Sequence, residues 1–260
     1  MKRTFLFVLL FLSISEKIYA FDISGIQPLA PHGVFSTFSA ESLQKNKSSV
    51  EIAAERSREP DFYRLSTKAA YGLSDKLEFN LTVPFVYHFP NKKNGLEDIA
   101  VGFKYRFYDE GKYGPSLAYL INASIPSGDN EITTDGRVGI GLIVSKRVGP
   151  FNGHLNFFYE RPGSGRLKDE ISLLGGVEFS AAHNFKILSE IIVKKSHYSH
   201  DNNQIEARFG YRIKTTDYIY TTFGAGLGIN NRSPEYRLFL SVNFTTPYEK
   251  KKIKKFIEEE

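Results

Sequence analysis

Leu77-Glu78-Phe79-Asn80-Leu81-Thr82-Val83-Pro84-Phe85-Val86-Tyr87 puts a large apolar residue at every second position. The same beat returns at Ile99, Val101, Phe103, Tyr105 and Phe107, with Asp98, Ala100, Gly102, Lys104 and Arg106 in the gaps. Successive strand side chains point to opposite faces, so each segment has one apolar and one mostly polar face. A soluble sandwich would turn the apolar face toward a core. An outer-membrane barrel turns it toward lipid and lines a lumen with the polar set.

Turn signals on either side of this stretch favour the barrel. Short connections fall at residues 73–75, 109–114, 149–153, 181–184 and 215–217, and longer ones at 90–97, 126–137, 161–169, 196–203 and 230–234. Short and long alternate, as in barrels with tight periplasmic turns and longer outside loops. Strands are expected at 48–58, 62–72, 76–88, 97–108, 115–125, 137–148, 153–161, 169–180, 184–195, 204–214, 218–229 and 235–244. Each is near the ~9–11 residues of a tilted spanning strand, whereas sandwich strands run to ~5–6. The expected fold is all-β: a transmembrane up-and-down antiparallel β-barrel of about 12 strands over residues 48–244, with 48–58 closing on 235–244. An open edge in lipid would leave backbone groups unpaired.

The chain's ends set the compartment. Lys2 and Arg3 precede an apolar run from Phe5 to Ile14, and Ala20 closes a plausible cleavage site, so residues 1–20 read as a signal peptide directing export to the cell outer membrane. That run is about half the ~20 residues of a spanning helix. Residues 21–47 could be a periplasmic lead-in, an extra strand or a segment inside the lumen. Residues 245–260 read as a charged periplasmic tail with Lys250, Lys251, Lys252, Lys254 and Lys255. There is no cysteine, hence no disulfide framework and no thiolate metal site. The formal charge is +5; the first twenty residues hold Lys2, Arg3 and Lys17 against Glu16, which leaves +3 and argues against nucleic acid as a partner. Aromatics make up 14%, all Tyr and Phe, as suits lipid-facing girdles.

Tyr71-Gly72-Leu73-Ser74-Asp75-Lys76-Leu77-Glu78 followed by Val83-Pro84 resembles the MetA-pathway of phenol degradation family of outer-membrane barrels. Gly95-Leu96-Glu97-Asp98-Ile99, leading into Gly102-Phe103-Lys104-Tyr105-Arg106-Phe107, is similar to that family's next strand entry, with Glu97 where Gly is more usual. Ile125-Pro126-Ser127-Gly128-Asp129 resembles its Pro-Thr-Gly-Asp loop, with Ser127 for Thr. The resemblance implies a barrel associated with uptake of hydrophobic or aromatic compounds.

Other candidate chemistry reads as structure. Asp129, Glu131 and Asp135 lack the spacing of a calcium loop. His197, His200 and Asp201 are ligand types, but three neighbours on one loop make a poor metal site. Gly224, Gly226 and Gly228 lie in an alternating strand with no helix N-terminus to hold a phosphate, so they are expected to leave lumen space. No catalytic, metal or cofactor residue is assigned. The functional surface is then the lumen, with Arg64, Lys68, Glu78, Lys104, Arg106, Glu178, Glu190, Glu206, Arg208, Arg212 and Arg237 as lining candidates.

The expected function is passage or binding of small hydrophobic or amphipathic molecules, aromatic or acidic ones included, with outer-membrane lipid as the other partner. A lipid-modifying barrel enzyme with a rim Ser–His pair, or a structural barrel, is the alternative. Two finer expectations follow. Phe79, Leu81, Val101, Phe103, Ile121, Leu142, Phe209 and Leu240 face lipid and reject Arg, while Glu78, Asn122 and Ser241 face inward and tolerate it better. Lys104 with Arg106, and Arg208 with Arg212, form basic patches opposed to Glu178 and Glu190, favouring organic acids.

Overall fold

The computed structural model describes residues 25–89, 93–129, 132–195, 203–231 and 233–247. The strands are β1 (Ser48–Arg58), β2 (Phe62–Gly72), β3 (Leu77–Phe89), β4 (Lys93–Leu96), β5 (Ile99–Tyr108), β6 (Ser116–Ile125), β7 (Arg137–Val148), β8 (Phe151–Pro162), β9 (Glu170–Ala182), β10 (Phe185–Lys195), β11 (Asn203–Lys214), β12 (Ile219–Gly228) and β13 (Tyr236–Thr245). Apart from β4, each pairs antiparallel with its neighbours in sequence, β3 with β5 included. β1 pairs with β13 from Ser49↔Thr245 to Arg58↔Tyr236, which closes twelve strands into a barrel without free edges.

Two details depart from the expected layout. The stretch 90–97 is not all loop, because β4 folds back on the end of β3 through Phe85↔Leu96 and Val86↔Gly95. The link between β1 and β2 is three residues (59–61), although it lies at the end where the other links are long. Short turns at the opposite end follow local chemistry. Gly149 sits at φ +59° in a two-residue reversal between β7 and β8, where a side chain would be strained.

The wall is inside-out relative to a soluble protein. Phe103, Ile121, Leu142, Phe209 and Leu240 are exposed on the outer face, while Arg212 and Arg237 are buried within. Phe79, Leu81 and Val101 share that outer parity. Outer aromatics pair across strands near the end where the chain enters β1: Tyr105 with Tyr119, Phe151 with Phe179, and Phe185 with Tyr211. Tyr63 with Tyr87 marks the other end. Aromatic side chains toward both ends of the outer face suit a lipid-facing barrel surface.

Residues 25–44 lie inside the barrel, and Lys45 and Asn46 are exposed at the rim where the chain enters β1. Ile26, Phe38 and Ala40 pack in one buried cluster with Ala100, Ala118, Leu120, Ile143, Phe158, Leu174 and Ile192 of the inner wall. Leu29 and Leu43 form another with Ala70. The segment doubles back at Gly33–Phe38, where Val34 N–H donates to Thr37 C=O at 2.9 Å. Burying these apolar side chains contributes roughly 1.5–3 kcal/mol for each large one. His197, His200, Asp201, Glu131 and the residues of the charged tail beyond 247 lie outside the described residues, as does the signal segment.

Candidate functional site: the lumen and the segment that fills it

Polar side chains of the inner wall hold the segment through its backbone. Glu190 of β10 accepts the Ser36 and Thr37 N–H groups at 2.8 and 2.6 Å and the Thr37 hydroxyl at 2.7 Å. Asn156 of β8 makes a reciprocal pair with Phe38, accepting its N–H at 2.6 Å and donating to its C=O at 2.9 Å. Arg212 of β11 donates to the Gly33 and Val34 carbonyls at 2.7 and 3.2 Å. Glu51 accepts Ala30 N–H at 2.9 Å, Glu78 accepts Leu43 N–H at 2.7 Å, and Lys68 donates to Pro28 C=O at 3.2 Å. A segment with no strand partners satisfies its buried backbone this way.

The same side chains pair with one another. Arg64 reaches Glu97 at 2.8 Å and Glu55 at 3.2 Å, and Lys68 reaches Glu51 at 3.0 Å. Lys104 meets Glu78 at 3.2 Å, and Arg212 meets Glu178 at 2.9 Å. Arg208 lies 2.7 Å from Glu206 and 3.4 Å from Glu190, and Arg237 lies 3.2 Å from Glu55. Of the lining residues expected from the sequence, Arg106 alone falls outside this network. It is half-buried at the rim, 3.0 Å from Asp109 and donating to Asp75 C=O at 2.9 Å.

This pairing overturns the expected basic patches. Lys104 and Arg106 share a strand but not an environment, and Arg208 and Arg212 each face an acid of their own. Expelling water from the lumen makes an unpaired charge costly, so each base sits against an acid. Sequence reasoning passed over Glu51, Glu55, Glu97 and Asn156. Parity could have found Glu51 and Glu55, since Val50 and Ile52 fix the outer face of β1. Nothing local marks Asn156, whose partner is 118 residues away.

The glycine-rich strand behaves as its composition suggests. A side chain at Gly224 would collide with the Phe35 ring, and one at Gly226 with the Glu206 carboxylate. The space these glycines leave is filled. Among the described residues, the lumen holds two cavities of about 70 Å³ each. One is bordered by Phe35, Arg208, Arg237 and Phe239, the other by Ile26, Arg137, Phe158 and Glu170. Each has room for a few waters. A wider vestibule of about 350 Å³ at the end where the chain enters β1 is lined by His32, Arg147, Lys186 and Tyr220.

At the opposite end, the segment resembling the family loop is clamped rather than free. Asp98 accepts hydrogen bonds from the Thr133 and Thr134 hydroxyls at 2.6 Å each, Thr134 N–H at 2.8 Å and Gly128 N–H at 3.2 Å. Burial alone would raise its pKa, but these donors outweigh burial and hold it below the ordinary carboxylate value.

A serine and a histidine do meet inside the lumen. Ser145 Oγ lies 2.8 Å from His154 Nδ1 and accepts Ala40 N–H at 2.9 Å. The other ring nitrogen, Nε2, is buried without a hydrogen-bond partner among the described residues. Among the described residues no acid completes a triad on that nitrogen, and the pair lies under the segment rather than at a rim of the barrel.

Comparisons with known proteins agree with this architecture. No curated protein matches the chain significantly. Among solved structures, an outer membrane channel from Pseudomonas putida F1 superposes with a TM-score of 0.63 at 12% identity, covering 80% of this chain and 98% of its own. The KdgM porin does so at 0.59 and 12%, covering 76% and 99%, and the NanC porin at 0.59 and 12%, covering 75% and 98%. The family model described as "Putative MetA-pathway of phenol degradation" matches residues 61–244, most of the barrel, and the chain belongs to that family.

Proposed function

We propose that this protein resides in the outer membrane, with the β1 entry side toward the periplasm, and passes small amphipathic molecules when residues 25–44 shift within the lumen. The observation that carries this reading is that the lumen is filled by a piece of the chain's own N-terminal region, held by side chain to backbone bonds. The wall alone does not fill it. The wall beneath is two-sided: Ala118, Leu120, Ile143 and Leu174 line one part, and Arg208, Arg212, Arg237 and Arg64 with their acids line the other. A molecule with an apolar body and a polar edge suits both. The similar channel and porins support passage in general, not any cargo. The family description is consistent with small aromatic compounds. The position of the Ser145–His154 pair supports a non-enzymatic role.

The second reading is a structural barrel, which the tight lumen packing favours. An engineered disulfide separates the two, since the chain has no cysteine of its own. A Cβ built on Gly176 lies 3.1 Å from Thr37 Cβ, close to the ~3.5–4.5 Å of a disulfide. Thr37→Cys with Gly176→Cys therefore ties the segment to β9. Planar-bilayer conductance and liposome uptake are expected in the reduced protein and lost on oxidation. Silence in the reduced protein, and equally in a chain lacking residues 25–42, establishes the structural reading.

A further inference from the structure

Phe35 of the inner segment lies outside the apolar cluster, on the charged side of the wall. Its ring lies over Gly210 of β11 and Gly224 of β12, which pair directly across the strands. A Cβ on Gly224 would collide first with the ring, and one on Gly210 would meet the β12 backbone first and come within 2.8 Å of the ring. The slot these glycines floor is walled by Phe239, 5.5 Å from the Phe35 ring centre at 31°. Arg208 stacks on the far partner, 4.7 Å from the Phe239 ring centre. The next residue supplies a polar edge. Ser36 Oγ accepts from Arg208 at 2.7 Å, and Ser36 N–H donates to Glu190 at 2.8 Å.

Adjacent glycines on two strands weaken a sheet by roughly 0.5–1 kcal/mol each relative to alanine. A planar ring seated on bare backbone is what that loss obtains here. Phe35 is itself half-buried and borders the cavity of about 70 Å³ shared with Arg208 and Arg237. The slot is therefore not sealed around its occupant.

We propose that this slot is a binding site for a neutral aromatic alcohol, and that Phe35–Ser36 occupies it as an internal stand-in, so that ligand and segment compete. The ring of such a molecule would lie on Gly210 and Gly224 against Phe239. Its hydroxyl would accept from Arg208 and donate to Glu190, the two groups that Ser36 now bridges. A carboxylate in the same place would meet Glu190 and Glu206, which already neutralise Arg208. The inference deepens the passage reading and depends on it only for its consequence in the membrane.

Benzyl alcohol is the probe, titrated into the detergent-solubilised full chain, with cyclohexylmethanol, toluene and benzoate as comparisons. Phe35→Ala is expected to bind benzyl alcohol at least ~10-fold more tightly than the unaltered chain, because the competing side chain is gone. The three comparison compounds are expected to bind more weakly, and adding Gly224→Val is expected to abolish binding. Should Phe35→Ala not fold, Phe35→Leu keeps the bulk and loses the flat ring, with the same direction expected. Equal affinity in the variant and the unaltered chain, or equal binding of cyclohexylmethanol, overturns the ring site. Tighter benzoate binding overturns the neutral alcohol. Benzyl alcohol binding without conductance leaves the slot standing and removes passage; conductance without binding does the reverse.

Discussion

The outer and inner faces of this barrel are built from alternate residues of the same strands, yet they answer to different partners. Outward, Ile121 or Leu142 meets lipid, where any large apolar side chain serves. Inward, Glu78 or Glu190 meets one particular base and particular backbone N–H groups of the inner segment. The outer face is specified by type and the inner face by pairing. A lumen is usually taken as the tolerant side of a membrane barrel, but here residues 25–44 make it a core.

The largest expected effect tests that difference on the inside. Glu78→Arg would remove the partner of Lys104, add a like charge beside it and leave Leu43 N–H without its acceptor. Breaking a buried pair costs about 3–5 kcal/mol. This reverses the expectation that inward positions accept Arg better than lipid-facing ones. Asn122, buried and donating to Glu160 at 3.1 Å, is expected to behave like Glu78. Ser241 borders the small cavity beside Phe239 and is expected to be more forgiving. Urea-driven unfolding in vesicles, read with all three Arg variants, checks the order.

On the outside, Leu142→Arg at mid-strand is expected to cost about 2–4 kcal/mol, and Ile121→Arg a similar amount. Leu142→Phe is expected to cost little, because lipid asks only for an apolar surface. If Leu142→Arg destabilised the barrel more than Glu78→Arg, the inner face would not be acting as a core.

The same contrast explains what could be read from the sequence. Period-two alternation located the strands of the closed ring, because lipid imposes one rule on every strand and turns interrupt it visibly. The inner face follows no such rule. Leu120 lies between Tyr119 and Ile121, so hydrophobicity alone does not say which way it points; it points inward because Phe38 and Ile26 are there. The course of residues 25–47 was legible only as one option among three, since its bonds run to wall positions as far as 118, 154 and 179 residues away, as with Phe38–Asn156, Ser36–Glu190 and Gly33–Arg212. Ion pairing was missed for the same reason. Arg208 and Arg212 look like a basic patch along the chain, and only the neighbouring strands bring Glu190 and Glu178 against them. The short strand β4 escaped because four residues ending at Leu96 carry no periodic signal.

The smallest of these effects is at Asp98, which belongs to neither face. It stands at the rim opposite the β1 entry and ties down Gly128, Thr133 and Thr134. Asp98→Ala leaves those donors unmatched where they are partly buried, a loss of about 1–3 kcal/mol confined to the loop. The spanning strands should keep their stability, so the readout is proteolysis of the loop rather than unfolding of the barrel. Acid gives the same result in the unaltered chain. The folded-state pKa of Asp98 lies below its ordinary value, so its contribution is complete above about pH 4 and is lost as pH falls through that lowered value. Loop cleavage by an acid-active protease should therefore be flat from neutral pH down to about 4 and rise below it, and Asp98→Ala should show the raised rate throughout. A rise already near pH 6 would assign the loop's hold to a histidine instead.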